Sequence, residues 1–298
     1  MNGWLILDKP LGLGSTQAVS AVKRALRSGG YGKAKVGHGG TLDPLATGVL
    51  PIALGEATKL AGRMLDGEKT YEFTIRFGEQ TDTLDSEGPV IATSAVRPTG
   101  AALAGVLPRF TGPIAQVPPA YSALKVDGAR AYDLARAGEE VALKSRDVTI
   151  HALAPRTAPA PDAALDEITL TAHVSKGTYI RSLARDIALA LGTVGHVTYL
   201  RRVKAGPFDL SHAISLDKLA ELGNGRALEQ SLLPLRAALD DIPALSLSPD
   251  QAGALRQGRV LAGIAVDDGL CLALLADVPV ALVDVADREV RVVRGFNL

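Results

Sequence analysis

The sequence predicts a mixed α/β chain of the α+β class, with a small β-barrel at its C-terminal end. Three patterns predict it. Apolar and polar residues alternate over Tyr71 to Phe77, and again through Ile168, Leu170, Ala172 and Val174, at the period of half-buried strands. Elsewhere Val19, Val22 and Leu26, and later Ile180, Leu183, Ala184, Ile187 and Leu191, recur at the helical period. From Leu245 onward the chain breaks into short apolar runs, Leu270–Ala276, Val280–Val285 and Val290–Val293, separated by Asp, Gly and Pro.

Length and composition bound the class. The 298 residues, 47% hydrophobic and 21% charged, describe an ordinary globular chain with ample core, long enough for two unequal domains. Asp240-Asp241-Ile242-Pro243 reads as a linker, which divides the chain into a main domain, 1–240, and an appended one, 241–298. A single cysteine, Cys271, excludes an intramolecular disulfide and a multi-thiolate metal site, and fits a reducing compartment. His38, His151, His173, His196 and His212 are scattered without ligand spacing, so no structural metal is expected. The N-terminus does not have the form of a signal peptide, and no apolar run approaches the roughly 18–20 residues of a membrane span. The expected location is the cytoplasm, away from any membrane. The 32 basic and 32 acidic residues cancel, but unevenly. Between Lys176 and Lys204 six basic side chains face only Asp186, whereas from residue 241 onward 5 basic residues face 8 acidic ones. A neutral protein with a local basic stripe can bind nucleic acid, because only nearby phosphates matter.

In order, Leu5-Ile6-Leu7 is a short strand, and Ser15 or Thr16 is expected to cap a helix running to about Arg27. Lys23, Arg24 and Arg27 form its polar face, most simply read as solvation. Val49 to Leu54 is a buried segment and Glu56 to Leu65 a short helix. Tyr71, Phe73, Ile75 and Phe77 share one strand face, so Tyr71 is read either as plain core or as an exposed aromatic at a strand start. Thr81 to Gly88 is an acidic turn whose spacing does not match a calcium loop. Residues 99–109 are helical. A rigid Pro118-Pro119 segment precedes Tyr121 and Lys125, and Ala129 to Gly138 is a short helix carrying Arg130, Tyr132 and Arg136. Ala154 to Ala164 is a surface loop. His196 to Val203 is a strand ending beside Arg201 and Arg202. Leucine-rich helices then continue to Leu239.

Two stretches carry chemistry. Residues Val36 to Gly48 (VGHGGTLDPLATG) place four glycines around one imidazole, His38, one carboxylate, Asp43, and the hydroxyls of Thr41 and Thr47. Pro44 biases Asp43 toward extended backbone. Alone, the stretch reads equally as an ordinary turn or as a shaped loop presenting a carboxylate. In the second, an alternating strand runs through Ser175-Lys176-Gly177-Thr178-Tyr179-Ile180-Arg181 into a helix. Lys176, Tyr179 and Arg181 thus gather at a helix start, where anions are favoured. A neighbouring cation such as Arg181 would hold Asp43 ionised.

Together these residues resemble the TruB family of tRNA pseudouridine-55 synthases. The match comprises Gly37-His38-x-Gly40-Thr41-Leu42-Asp43-Pro44-Leu45-Ala46-Thr47-Gly48, with Leu7-Asp8-Lys9-Pro10, Lys69-Thr70-Tyr71, Pro118-Pro119 to Lys125, Ser175 to Arg181, and Tyr199-Leu200-Arg201-Arg202. The motifs occur in the family's order and cover residues 3 to 215. The resemblance implies the pseudouridine synthase fold, a mixed and largely antiparallel sheet with flanking helices, and a C-terminal PUA-like barrel. It also implies isomerisation of a flipped-out T-loop uridine of tRNA, without metal, cofactor or an obligate protein partner. By the same resemblance Asp43 is the essential aspartate, Tyr71 stacks on the target base and takes part in proton transfer, and Arg181 pairs with the catalytic carboxylate. Tyr179 and Leu200 line the uridine pocket, His38 contacts the T loop and Lys9 supports the cleft, while Lys176 is expected from its charge and place alone to meet phosphate. Gly39 fills the variable position of the motif, where glycine would loosen the loop. The same isomerisation on another RNA, or an RNA-binding and tRNA-folding role on this scaffold, are the alternatives. A glycoside hydrolase would need a second carboxylate, and none is evident.

Overall fold

The strand Lys69–Phe77 is the centre of one of two units into which the chain divides: Leu45–Gly48 with Asp66–Ala205, and Met1–Pro44 with Val49–Leu65 and Gly206–Leu298. The structure, a computed structural model, describes residues 1–122, 124–126, 129–131, 133, 137 and 143–298.

In the first unit, Lys69–Phe77 is flanked on both sides by antiparallel strands. Glu167–Val174 puts Ala172 opposite Tyr71, and Gly195–Ala205 puts Arg202 opposite Tyr71 on the other edge. Arg146–Pro155 and then Gly112–Gln116 continue the sheet antiparallel beyond Glu167–Val174. Ala46 to Gly48 pair in parallel with Leu200 to Arg202. The sheet is therefore mixed and largely antiparallel, as expected. Period-2 alternation gives it one apolar face: Phe73, Ile75, Phe77, Leu170 and Ala172 are buried beneath Ile180, Leu183, Ala184 and Ile187 of the helix Ile180–Ala190. At eleven residues that helix is too short to be stable in water by itself, so this packed stripe holds it. The helix expected over residues 99–109 is Gly100–Val106 followed by a 3₁₀ turn, Leu107–Phe110, and Thr99 caps it by accepting from the Ala102 N–H. Ala129 and Arg130, expected to start a helix, instead pair as a strand with Lys125–Val126. Tyr132 and Arg136 of that helix lie outside the described residues.

In the second unit, the strand Gly3–Lys9 is buried and pairs with Ala213–Ile214 in parallel and Leu232–Leu233 antiparallel. The helix Ser15–Ser28 buries Ala18, Val19, Val22, Ala25 and Leu26. Its cap is Gly14, not Ser15 or Thr16: the Gly14 N–H donates to Gln17 Oε1, and the Ser15 hydroxyl is engaged elsewhere. The leucine-rich stretch to Leu239 forms one α-helix, Leu216–Asn224, with short 3₁₀ turns at Leu210–His212, Leu228–Ser231 and Leu235–Ala238. Gly225 and Pro234 interrupt it, since neither sustains a helix interior. Beyond it, Ala244–Ser246, Gly269–Leu275, Val278–Ala286, Glu289–Gly295 and Leu261–Ala262 neighbour one another in that order as a curled half-barrel. A helix at Pro249–Arg256 escaped the sequence reading, although its signal is legible. Ser248 and Gln251 form a reciprocal capping box with Pro249 at the first position. Among the described residues no helix is long and apolar enough to cross a membrane.

Candidate active site

Asp43 is exposed at the tip of a loop whose two neighbouring residues are both tied down. The Leu42 N–H donates to Ser15 Oγ at 2.8 Å, and the Ser15 hydroxyl donates to the Leu42 carbonyl at 3.0 Å. On the other side, the Pro44 carbonyl accepts from the Gly12 N–H at 2.8 Å and from Lys9 Nζ at 3.3 Å. Lys9 is fully buried, and its ammonium also donates to the carbonyls of Leu13 at 2.6 Å and Pro10 at 3.1 Å. A buried ammonium needs such acceptors to offset its desolvation. Lys9 thus stands beneath the loop and braces its backbone. His38 is half-buried in the strand Val36–His38, opposite Ile52. Gly39 is buried, its N–H donates to the Pro51 carbonyl, and a β-carbon there would lie 2.8 Å from Met64 Cβ. Glycine at this variable position is therefore required by packing.

The other expected residues belong to the sheet unit. Tyr71 and Leu200 are both partly buried at the rim of the apolar core, so each presents one side to the core and the rest outward. The end of the glycine-rich motif meets the same sheet: Ala46 lies opposite Leu200, Thr47 Oγ1 donates to the Leu200 carbonyl at 3.4 Å, and Arg201 Nη1 donates to Thr47 Oγ1 at 3.4 Å. Gly48 has φ +99°, and a β-carbon there would lie 2.2 Å from the Arg202 carbonyl oxygen, so only glycine lets the two backbones approach.

Arg181 is buried, 8% exposed, in the first turn of its helix. Its Nη1 donates to the Thr83 carbonyl at 2.9 Å and pairs with Asp85 Oδ2 at 3.1 Å, while Nη2 donates to the Tyr121 carbonyl at 3.0 Å. Asp85 is itself buried and accepts from Thr83 Oγ1 and the Glu87 N–H. The acidic turn at 81–88, unassigned from sequence, is thus the cradle of Arg181. Tyr179 is the residue before the helix, and its N–H donates to Oε1 of the buried Gln116 at 2.8 Å. The Val117 carbonyl accepts from Ser182 Oγ at 2.8 Å and Arg185 Nη2 at 3.1 Å, tying the Pro118-Pro119 segment to the same helix. Lys176 is exposed and pairs with Asp66 at 3.0 Å.

Two cations sit deep in this sheet. Arg202 is 1% exposed, and Lys69 is buried with its ammonium donating to the Gly67 carbonyl. Burial, reinforced by the charge of Arg202, pushes the Lys69 amine down to about 8. Among the described residues no group of three His, Cys, Asp or Glu side chains is arranged to hold a metal ion. The chemistry on offer is that of an exposed carboxylate on a braced loop, an aromatic at a core rim, and a buried guanidinium.

Comparison with known proteins agrees with the motifs. Residues 27–180 match the family described as TruB family pseudouridylate synthase (N terminal domain), and residues 181–240 match the tRNA pseudouridylate synthase B C-terminal domain. A tRNA pseudouridine synthase B of Novosphingobium aromaticivorans is 66% identical over 298 residues, covering 100% of this chain and 98% of the relative. That of Zymomonas mobilis is 59% identical, covering 100% and 96%. Among solved structures, an H/ACA RNP bound to a substrate RNA containing 2′-deoxyuridine superimposes with a TM-score of 0.72 at 23% identity, covering 99% of this chain and 85% of that one. A Cbf5-Nop10-Gar1 complex gives 0.71 at 24% identity, covering 99% and 84%. At such identity these two establish the fold, which is that of the pseudouridine synthases.

Proposed function

The chain belongs to the TruB family of tRNA pseudouridine synthases, which are isomerases, and from that premise we propose that it converts uridine 55 in the T loop of tRNA to pseudouridine. The reaction breaks the N1–C1′ bond, forms a C5–C1′ bond, gives up the C5 proton to solvent and takes one up on N1; nothing is gained or lost overall, so neither metal nor cofactor is called for. Asp43 is the essential carboxylate, acting at C1′ or on the base while the uracil turns. The observation that carries this is its presentation: an exposed side chain between two residues whose backbones are fixed by Ser15, Gly12 and Lys9. A catalytic group held this way loses little freedom on reaching its target.

Tyr71 stacks on the flipped base and serves the final proton transfer. Flipping costs a few kcal/mol, and stacking on an aromatic returns about 1–3 kcal/mol per base. Tyr71, with His38 against the T loop, offsets most of that cost. Arg181 pairs with the catalytic carboxylate, Tyr179 and Leu200 line the pocket, Lys9 supports the cleft, and Lys176 meets phosphate. Residues 1–240 form the catalytic domain and 241–298 a PUA-like domain. The enzyme works in the cytoplasm and needs tRNA but no protein partner.

The test uses tRNA tritiated at uracil C5. Wild type is expected to release tritium and Asp43→Asn to release none, while Tyr71→Phe loses far more turnover than tRNA affinity. Tight tRNA binding without release by wild type makes the chain an RNA-binding or tRNA-folding protein instead. Equal losses of turnover and affinity in Tyr71→Phe reduce Tyr71 to packing.

A further inference from the structure

Residues 9–42 contain six basic side chains and no acidic one, in a chain whose net charge is zero. Lys9 is itself buried, and its ammonium donates to the Leu13 and Pro44 carbonyls. The other five, Lys23, Arg24, Arg27, Lys33 and Lys35, are all exposed, and among the described residues none of them forms an ion pair. The acids near them have closer partners: Glu221 pairs with Lys218 at 2.8 Å, Glu229 accepts from Tyr31 at 2.7 Å, and Glu56, which also feels the charge of Lys35, pairs with Lys59 at 2.6 Å. Asp217 lies in the first turn of its own helix, where a carboxylate is favoured.

Simple solvation accounts poorly for this. A surface that only keeps a protein soluble mixes both signs, whereas this stretch of 34 residues contributes one sign alone, and the acids that other segments bring near it are engaged elsewhere. Arg27, in the last turn of Ser15–Ser28, complements the helix dipole, but Lys23 and Arg24 stand too far from that end to do so. Spaced three and four residues apart, Arg24 and Lys23 each neighbour Arg27 on the helix surface, about 5–6 Å between β-carbons.

We propose that Lys23, Arg24 and Arg27, continued by Lys33 and Lys35, form a phosphate-binding surface for the tRNA substrate outside the Asp43 loop. The inference rests on the tRNA reading above. The helix begins at Ser15, which is bonded to Leu42 beside Asp43. At 1.5 Å per residue, Lys23 and Arg27 lie roughly 12 and 18 Å along its axis from Ser15. The surface therefore engages RNA backbone at a distance from the nucleotide being isomerised, setting the register of the substrate without reading its bases.

The experiment measures binding of full-length tRNA over a series of salt concentrations. In Lys23→Gln/Arg24→Gln/Arg27→Gln the slope of log affinity against log salt falls in magnitude by about two to three, at 0.7–0.9 per lost phosphate contact, and affinity at low salt drops about tenfold or more. Lys33→Gln/Lys35→Gln lowers the slope by about one to two on the same count. Circular dichroism confirms that the variants are folded. An unchanged slope overturns the proposal, as does an equal change in Lys218→Gln, which would mark a general effect of charge. Wild type that binds tRNA without isomerising it, with the slope still lost in the triple variant, overturns the uridine reading and keeps the surface. Wild type that isomerises with a slope shared by the variant does the reverse, and absence of tRNA binding by wild type overturns both.

Discussion

Arg181 and Asp85 have side chains only 10% and 9% exposed, and they pair at 3.1 Å among backbone carbonyls and amides. Breaking a buried pair by removing one member strands the other charge, at about 3–5 kcal/mol. Asp85→Ala is therefore expected to lower the urea-unfolding free energy by that order. A single-variant cost below about 1 kcal/mol, the range of surface pairs, would show that water reaches the pair. The sequence presents Arg181 as a site residue through its motif, but it offers no means of choosing Asp85 among 32 acids. Ninety-six residues separate the two, and pairing across such a gap is set by the sheet, not by local spacing.

The strand Lys69–Phe77 carries a tension of its own. Its alternation announces a core face, yet that face begins with a lysine whose amine burial and Arg202 push down to about 8 from 10.5. Between pH 8 and 10.5 the unfolded chain holds a proton on this lysine that the folded chain has released, so stability rises with pH across that window. At about 1.4 kcal/mol per pH unit the full effect is roughly 3 kcal/mol. Lys69→Met, which keeps the apolar stem, is expected to raise the melting temperature at pH 7 and to flatten the rise between pH 8 and 10.5. A variant whose pH profile parallels wild type would mean that the ammonium is well solvated.

At the scale of the whole molecule, the C-terminal residues 206–298 belong to the same unit as the N-terminal 44 residues. Lys59 Nζ donates to the Gly295 carbonyl at 2.9 Å, the Asn297 N–H donates to Glu56 at 2.8 Å, and Arg63 pairs with Asp241 at 2.6 Å. Each is worth at most about 1 kcal/mol at a surface. Together they predict that deletion of residues 241–298 lowers the melting temperature of the remainder by about 5 °C or more. An unchanged melting temperature would make residues 241–298 an independent module attached at the Asp240–Pro243 linker.

By itself the sequence determined the main strands and helices, because periods of 2.0 and 3.6 are written directly in the order of apolar residues, and it marked Asp43, Tyr71 and Arg181 through motifs that keep their spacing. It missed the Pro249–Arg256 helix, whose capping box was legible, and misplaced the cap of Ser15–Ser28, since a serine at a helix start can as well bond a distant loop. Only the tertiary structure decided that Ser15 grips Leu42, that Lys9 lies buried under Pro44, that Asp85 holds Arg181, and that Gly39 and Gly48 are forced by neighbours at Met64 and Arg202. Each of these is a bond or a collision between residues far apart in the chain. Their partners are chosen by how strands and helices pack, and that choice leaves no periodic trace in the sequence.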